Sequence, residues 1–294
     1  MVRDQGQRLC VSHAPADPGA PARAAVVFVH PFVEEMNKSR HVVAAQARAL
    51  AAAQCAVLQI DLLGCGDSSG DLTDASWSAW LADVQAGCDW MTDRHPGAPL
   101  WLWGLRAGAL LAGEAASRCE PPANLLLWQP VSAGKQQVAQ FLRLKAAAQL
   151  GDGAQARALL DGLRQTVVEG GVLDVAGYLV SGGLLRAFEQ ASLVCPPPPA
   201  QIRILELSSR PDATLSPGLG RLVAGWMAEG RDLSASVVQG PAFWQTVELE
   251  DAPALLQATL AALGLTSPGA ATRPPNAGKG TVHGSTRPRA GALP

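Results

Sequence analysis

No run of about 18 uncharged apolar residues occurs in this 294-residue chain, so no membrane-crossing helix and no stable membrane insertion is expected. The opening residues, Met1-Val2-Arg3-Asp4-Gln5-Gly6, carry no apolar stretch of the kind that directs export, and the expected compartment is the cytoplasm. Charge of one sign is missing too. A formal net charge of −2 gives no electrostatic basis for gripping nucleic acid. The six cysteines (Cys10, Cys55, Cys65, Cys88, Cys119, Cys195) never lie closer than ten positions apart, which excludes a CxxC metal or redox pattern. They are expected to be free thiols in a reducing compartment. No metal and no cofactor is expected.

What is present is a core-forming composition, 48% apolar and 16% charged, arranged in a strand–helix rhythm. Short apolar runs at 25–29, 56–60, 100–103, 125–128 and 202–205 read as buried strands, with a weaker one at 235–238 and an antiparallel leader at 8–11. Between them lie helical stretches at 41–52, 76–92, 107–118, 217–229 and 251–264. Continuous apolar strands alternating with helices imply a mostly parallel sheet covered on both faces and doubly wound by right-handed crossovers. Residues 134–195 break the rhythm. They offer no good strand, and helices are expected near 137–150, 153–169 and 173–190, separated by glycine pairs. This interval reads as a helical cap, closed by the stiff run Cys195-Pro196-Pro197-Pro198-Pro199. The expected division is a core of 1–133 and 196–266, a cap of 134–195, and a disordered tail of 267–294 poor in large apolar residues.

Gly104-Leu105-Arg106-Ala107-Gly108 follows an apolar strand and precedes a small-residue helix. This is the setting of the Gly-x-Ser-x-Gly nucleophile elbow, where neighbouring backbone comes so close that only small residues fit two positions from the apex. His30 ends an earlier strand, and Asp61-Leu62-Leu63-Gly64-Cys65-Gly66-Asp67-Ser68-Ser69-Gly70 follows the next. This last run resembles the Asp-x-x-Gly-x-Gly-x-Ser loop of α/β-hydrolases. Three signatures, each at a strand's carboxyl end, point to an α/β-hydrolase fold. The runs at 30–40, 61–70, 103–108 and 240–246 also resemble the exosortase A system-associated hydrolase 2 family over roughly residues 5–264. That resemblance implies a bacterial exopolysaccharide locus and exopolysaccharide or exosortase-system proteins as partners, but no particular substrate.

A serine hydrolase needs a nucleophile, a histidine and an orienting acid. The elbow apex here is Arg106, which stays protonated and cannot be a nucleophile. The segment where the histidine should stand reads Gly240-Pro241-Ala242-Phe243, and the only later histidine is His283 in the tail. Asp212 fits the acid's place, either as a remnant or as a loop residue making a turn. Loss of nucleophile and base removes several orders of magnitude of rate, so ordinary serine-esterase chemistry is not expected. Arg106 can hold a ligand's carboxylate or phosphate near a helix N-terminus, or pair with Glu34 or Glu35 and fill the old site. Glu34 or Glu35, read as part of a polar loop over 34–40, can be a general acid or base, or merely solvated. His30, Phe32, Asn37, Ala107 and Trp244 are the candidate substrate contacts. Ser68, Ser69, Cys65 and Ser132 are weaker substitute nucleophiles. Two functions stay open: an atypical hydrolase or acyl transferase acting on an anionic substrate, either a small molecule or an acyl compound, or a pseudoenzyme that binds or scaffolds. Recognition of a partner by the cap or tail is a third.

Overall fold

The computed structural model describes residues 1–148, 153–246 and 248–265. The elements run β1 (Val2–Arg3), β2 (Gly6–Gln7), β3 (Cys10–His13), β4 (Ala24–Val29), α1 (Glu34–Ala52), β5 (Cys55–Ile60), α2 (Trp77–Arg94), β6 (Leu100–Leu105), α3 (Gly108–Arg118) and β7 (Asn124–Trp128). They continue with α4 (Gly134–Ala148), α5 (Gly153–Glu169), β8 (Val172–Val175), β9 (Tyr178–Ser181), α6 (Gly182–Gln190), β10 (Gln201–Ser208), α7 (Pro217–Ala228), β11 (Asp232–Gln239) and α8 (Pro253–Ala262). Seven strands form the central sheet in the order β11-β10-β7-β6-β4-β5-β3. Every neighbouring pair is parallel except β3 with β5. The α/β-hydrolase fold expected from the sequence is the fold adopted.

The two faces of the sheet carry separate cores. Val42, Val43, Ala47 and Leu50 of α1 and Leu255 of α8 pack with Trp103 and Trp128 on one face. On the other, α2, α3, α7 and the inserted segment share a second cluster that includes Leu102, Leu110, Leu125 and Val223. Alternate residues of each strand feed alternate faces, as a two-residue period demands. A buried ion pair, Arg8 Nε to Asp83 Oδ2 at 2.6 Å, joins the N-terminal segment to α2. The same carboxylate oxygen accepts the Leu63 N–H at 3.0 Å and so holds the loop after β5.

Two expectations need correction. The run 34–40 is not a loop but the first two turns of α1. Its polarity hid a helix whose inner face buries Glu35, Met36 and Ser39, and whose paired glutamates suit a helix N-terminus. The cap is not purely helical, because 172–181 forms a β-hairpin before helix α6. Ala176 and Gly177, both at positive φ (53° and 83°), make its two-residue turn, the backbone a type I′ hairpin requires. The alternation of Val172-Leu173-Asp174-Val175 carries the strand signal, with Leu173 and Val175 turned inward. The expected tail, 267–294, lies outside the described residues.

The elbow glycines are dictated by contact. A Cβ on Gly108 would stand 2.3 Å from the Val29 carbonyl oxygen and 2.5 Å from that of His30, and one on Gly104 would stand 2.6 Å from Ala109 Cα. Backbone cannot yield as a side chain can. Gly108→Ala is therefore expected to lower unfolding free energy by about 2–3 kcal/mol. Gly162→Ala, in an exposed turn of α5 with open space around it, should be neutral or stabilising by up to about 1 kcal/mol. Urea titration of both variants checks the pair.

Candidate functional site

The strand order reverses direction across β4: β5 lies on one side of it and β6 on the other. Loops leaving the carboxyl ends of β4 and β6 diverge at such a point and open the crevice where open α/β sheets place their sites. The chain is strained there. Val33 (φ 44°), Arg106 (φ 53°) and Gln129 (φ 44°), after β4, β6 and β7, all sit at positive φ. Non-glycine residues in that region cost roughly 1–3 kcal/mol each and persist only when their surroundings impose them. For Arg106, its N–H donates to Trp128 O at 3.0 Å and its carbonyl accepts from Ala109 N at 3.1 Å. The apex side chain is thereby aimed into the crevice.

Other groups already fill that crevice. Arg106 Nε and Nη2 donate to Glu35 Oε1 at 3.3 and 3.2 Å. Nη2 also reaches Gln137 Oε1 and Gln140 Oε1, both at 3.4 Å, on α4 of the cap. The guanidinium lies 5.5 Å from the Trp244 ring centroid, within cation–π range. The Arg106 side chain is 12% exposed and that of Glu35 4%. In a serine hydrolase the nucleophile would stand at 106 and the histidine near 240–243. These seats hold a cation and, at 244, an aromatic ring facing it.

Burial pushes the Glu35 carboxyl above its ordinary value, and the attraction of Arg106 only partly offsets this. Glu35 Oε2 is buried without a partner among the described residues, as is Glu34 Oε2. Burial likewise raises Glu34, against its own backbone N–H and Lys38.

The remaining expected residues divide. Ala107 is buried at the start of α3. Phe32 is buried rather than open to a ligand. It packs 5.1 Å from Phe141 and 5.0 Å from Phe188 between ring centroids and glues the cap to the sheet. His30 is buried and held by backbone, with Nδ1 against Pro31 O at 2.8 Å and Nε2 against Leu62 N at 3.4 Å. Burial lowers its pKa, so it is neutral, donating from Nδ1 and accepting at Nε2. Asp212 is exposed on the loop after β10, and among the described residues no hydrogen bond ties it to the Arg106 cluster. Ser68 Oγ donates to Asp61 O and accepts from Leu9 N, and Ser69 Oγ accepts from Gln7 N. Both hydroxyls therefore serve the loop. The Cys65 thiol is pushed up to about 12 by burial and then by Asp61, so it is no thiolate. Ser132 stays half-buried, its carbonyl accepting from Leu193 N.

An open groove of about 500 Å³ lies next to the filled seat. Its walls include Val33, Met36, Asn37 and Arg40 of the α1 end, Cys65 of the following loop, and Tyr178 of the cap hairpin. Asn37 Nδ2 donates to Tyr178 Oη at 3.4 Å. Arg40, with its side chain 46% exposed, donates to both Asp61 oxygens at 3.2 and 3.0 Å. Gln137, Gln140, Arg40 and Tyr178 were not singled out from sequence. The i, i+3 spacing of the two glutamines on a helix is the only signal they give, and it does not say what they face.

The sequence profile of serine aminopeptidase S33 matches residues 20–164, just under half of the chain. No functionally curated protein matches. Among solved structures, the chain is similar to XC6422 from Xanthomonas campestris, a serine hydrolase without a lid (17% identity, TM-score 0.52, 89% of this chain and 90% of that one). It is similar to Est1E from Butyrivibrio proteoclasticus, solved with ferulic acid (15%, 0.56, 86% and 92%). It is also similar to a thermostable carboxyl esterase from Bacillus coagulans (14%, 0.54, 81% and 87%). At these identities the likeness speaks to fold alone.

The Arg106–Glu35 pair sets a pH dependence. A raised carboxyl means the native state holds its proton more tightly than the unfolded chain. Stability is therefore highest below the unfolded value of about 4.3 and falls as pH rises through the folded one. Arg106→Ala removes the opposing attraction and lifts the folded value further. The variant is expected to lose about 3 kcal/mol at neutral pH and clearly less near pH 4. Denaturant titration at the two pH values checks the sign.

Proposed function

Taking membership of the α/β-hydrolase superfamily as the premise, we propose that this chain is a catalytically silent member that works by binding a ligand in the groove beside its filled seat. One observation carries the reading. The apex of the elbow is a guanidinium that already has its anion, Glu35 at 3.2 Å, and is covered by Gln137, Gln140 and Trp244. An atypical hydrolase using Arg106 to hold an anionic substrate would need that cation open. Glu35, its partner, would need to reach substrate from a position 4% exposed.

The groove suits a small acyl compound with one negative charge. Val33, Met36 and Leu72 supply apolar wall, and the half-exposed Arg40 guanidinium, the Asn37 amide and the Tyr178 hydroxyl supply donors. Asp67 on the same wall disfavours a second negative charge. The runs at 30–40, 61–70, 103–108 and 240–246 support a role beside exopolysaccharide or exosortase-system proteins in a bacterium. No helix among the described residues is long and apolar enough to cross a membrane.

Incubation with a fluorophosphonate probe and with acyl-ester and thioester substrates is expected to give neither labelling nor turnover, in the wild type and in Arg106→Ala alike. Thermal-shift titration with medium-chain monocarboxylates is expected to show saturable stabilisation that weakens about tenfold or more in Asn37→Ala/Tyr178→Phe and persists in Arg106→Ala. Stoichiometric labelling of any serine, or turnover abolished by Arg106→Ala, would overturn the silent-enzyme reading. Absence of a shift with every carboxylate would overturn the ligand class.

A further inference from the structure

The central sheet ends on two strands of different kinds. At one edge β3 is short, four residues from Cys10 to His13. At the other edge β11 is long. All eight of its residues, Asp232 to Gln239, pair with β10 in one unbroken parallel register. Among the described residues nothing pairs with its outer side. In a parallel ladder alternate residues turn both N–H and C=O away from the partner strand. The outer side of β11 is therefore a row of unused donors and acceptors.

Such an edge is a template for another strand, and is ordinarily guarded by a lysine, a proline, a bulge or a covering segment. Asp232-Leu233-Ser234-Ala235-Ser236-Val237-Val238-Gln239 has no lysine and no proline, and its register carries no bulge. Its one charge, Asp232, is held within the chain by Arg203 Nη1 at 2.9 Å and Gln201 Nε2 at 3.0 Å, both on β10.

We propose that β11 pairs antiparallel with β11 of a second copy of this chain, joining two seven-stranded sheets into one. The strand is complementary to itself about Ala235. An antiparallel copy centred there sets Leu233 against Val237 of the second copy on the face that carries α7, and Ser234 against its Ser236 on the other. Leu233 and Ala235 are half-buried against the α7 cluster, and the second copy completes their cover. Ser234 and Ser236 are exposed, and their hydroxyls can bond across the strands. The size of the face agrees. Its eight residues span about 27 Å. Because α7 and α8 both pack against β11, helix, sheet and helix stack about 30 Å thick. That gives about 800 Å², the amount each partner buries in a standard interface. The exposed side of α7 beside it is mostly small, with Ala224, Gly225 and Ala228, so a second helix can come close. The groove at Arg40 and Tyr178 lies near the opposite edge, past β5. Association leaves it open, so ligand binding and dimerisation are separable.

Size-exclusion light scattering of the full chain, from low to high micromolar concentration, should show a concentration-dependent dimer. Ser234→Lys/Ser236→Lys sets lysines opposite one another across the axis, at side chains exposed in the single chain, and should weaken dimerisation about tenfold or more. Mixing it with Ser234→Glu/Ser236→Glu should restore a dimer containing one of each, which a merely structural effect of the lysines would not do. A monomer at every concentration, a dimer indifferent to the lysines, or a mixture that fails to pair would overturn the proposal. Where either variant fails to fold, hydrogen exchange on the wild type decides. Amides of 232–239 should lose protection on dilution, and equal exchange at all concentrations would overturn it.

Discussion

A single buried contact, the Arg106 guanidinium against the Glu35 carboxylate, fixes what the rest of this molecule can do. Its two partners come from the elbow after β6 and the first turn of the helix after β4, the strands on either side of the point where the winding of the sheet reverses. A charge placed there must be matched, because leaving either one alone in so dry a place costs several kcal/mol. Gln137, Gln140 and Trp244 complete the match. They also bring the cap and the last loop down on the elbow. The same contacts thus both fill the seat and hold the cap, and the open volume lies to the side, in the groove at Asn37, Arg40 and Tyr178.

The fold was largely legible from residues, because its signals are local. Continuous apolar strands, the glycines two positions either side of Arg106 and the glycine-rich turn after β5 each answer to nearby sterics. The site was legible in part. That position 106 stands at a sharp apex follows from its neighbours, and so does the absence of a nucleophile there. Of the two partners left open for Arg106, Glu34 and Glu35, only Glu35 lies on the buried face of the helix, and that choice depends on a helical phase which the polar run 34–40 concealed. Trp244 reads from the sequence only as a candidate substrate contact, and its ring facing Arg106 is a contact between residues far apart in sequence.

What stayed illegible has a common cause. Gln137 and Gln140 look like surface residues until the cap is docked. Phe32 looks like a pocket residue until Phe141 and Phe188 are seen against it. The hairpin at 172–181 reads as helix in the sequence because its turn is Ala176-Gly177 rather than the asparagine or aspartate pairing usual there. In each case tertiary packing overrode a local preference, and it did so in the cap. There the chain leaves the strand–helix rhythm that made the core readable.

The most direct measurement is a double-mutant cycle on unfolding free energy, built from Arg106→Ala, Glu35→Ala and both together at neutral pH. A filled seat held by mutual neutralisation should give a coupling of about 2 kcal/mol, with the double variant more stable than the two single losses add up to. Strict additivity within about 0.5 kcal/mol would mean that the two charges ignore one another, and would contradict the account.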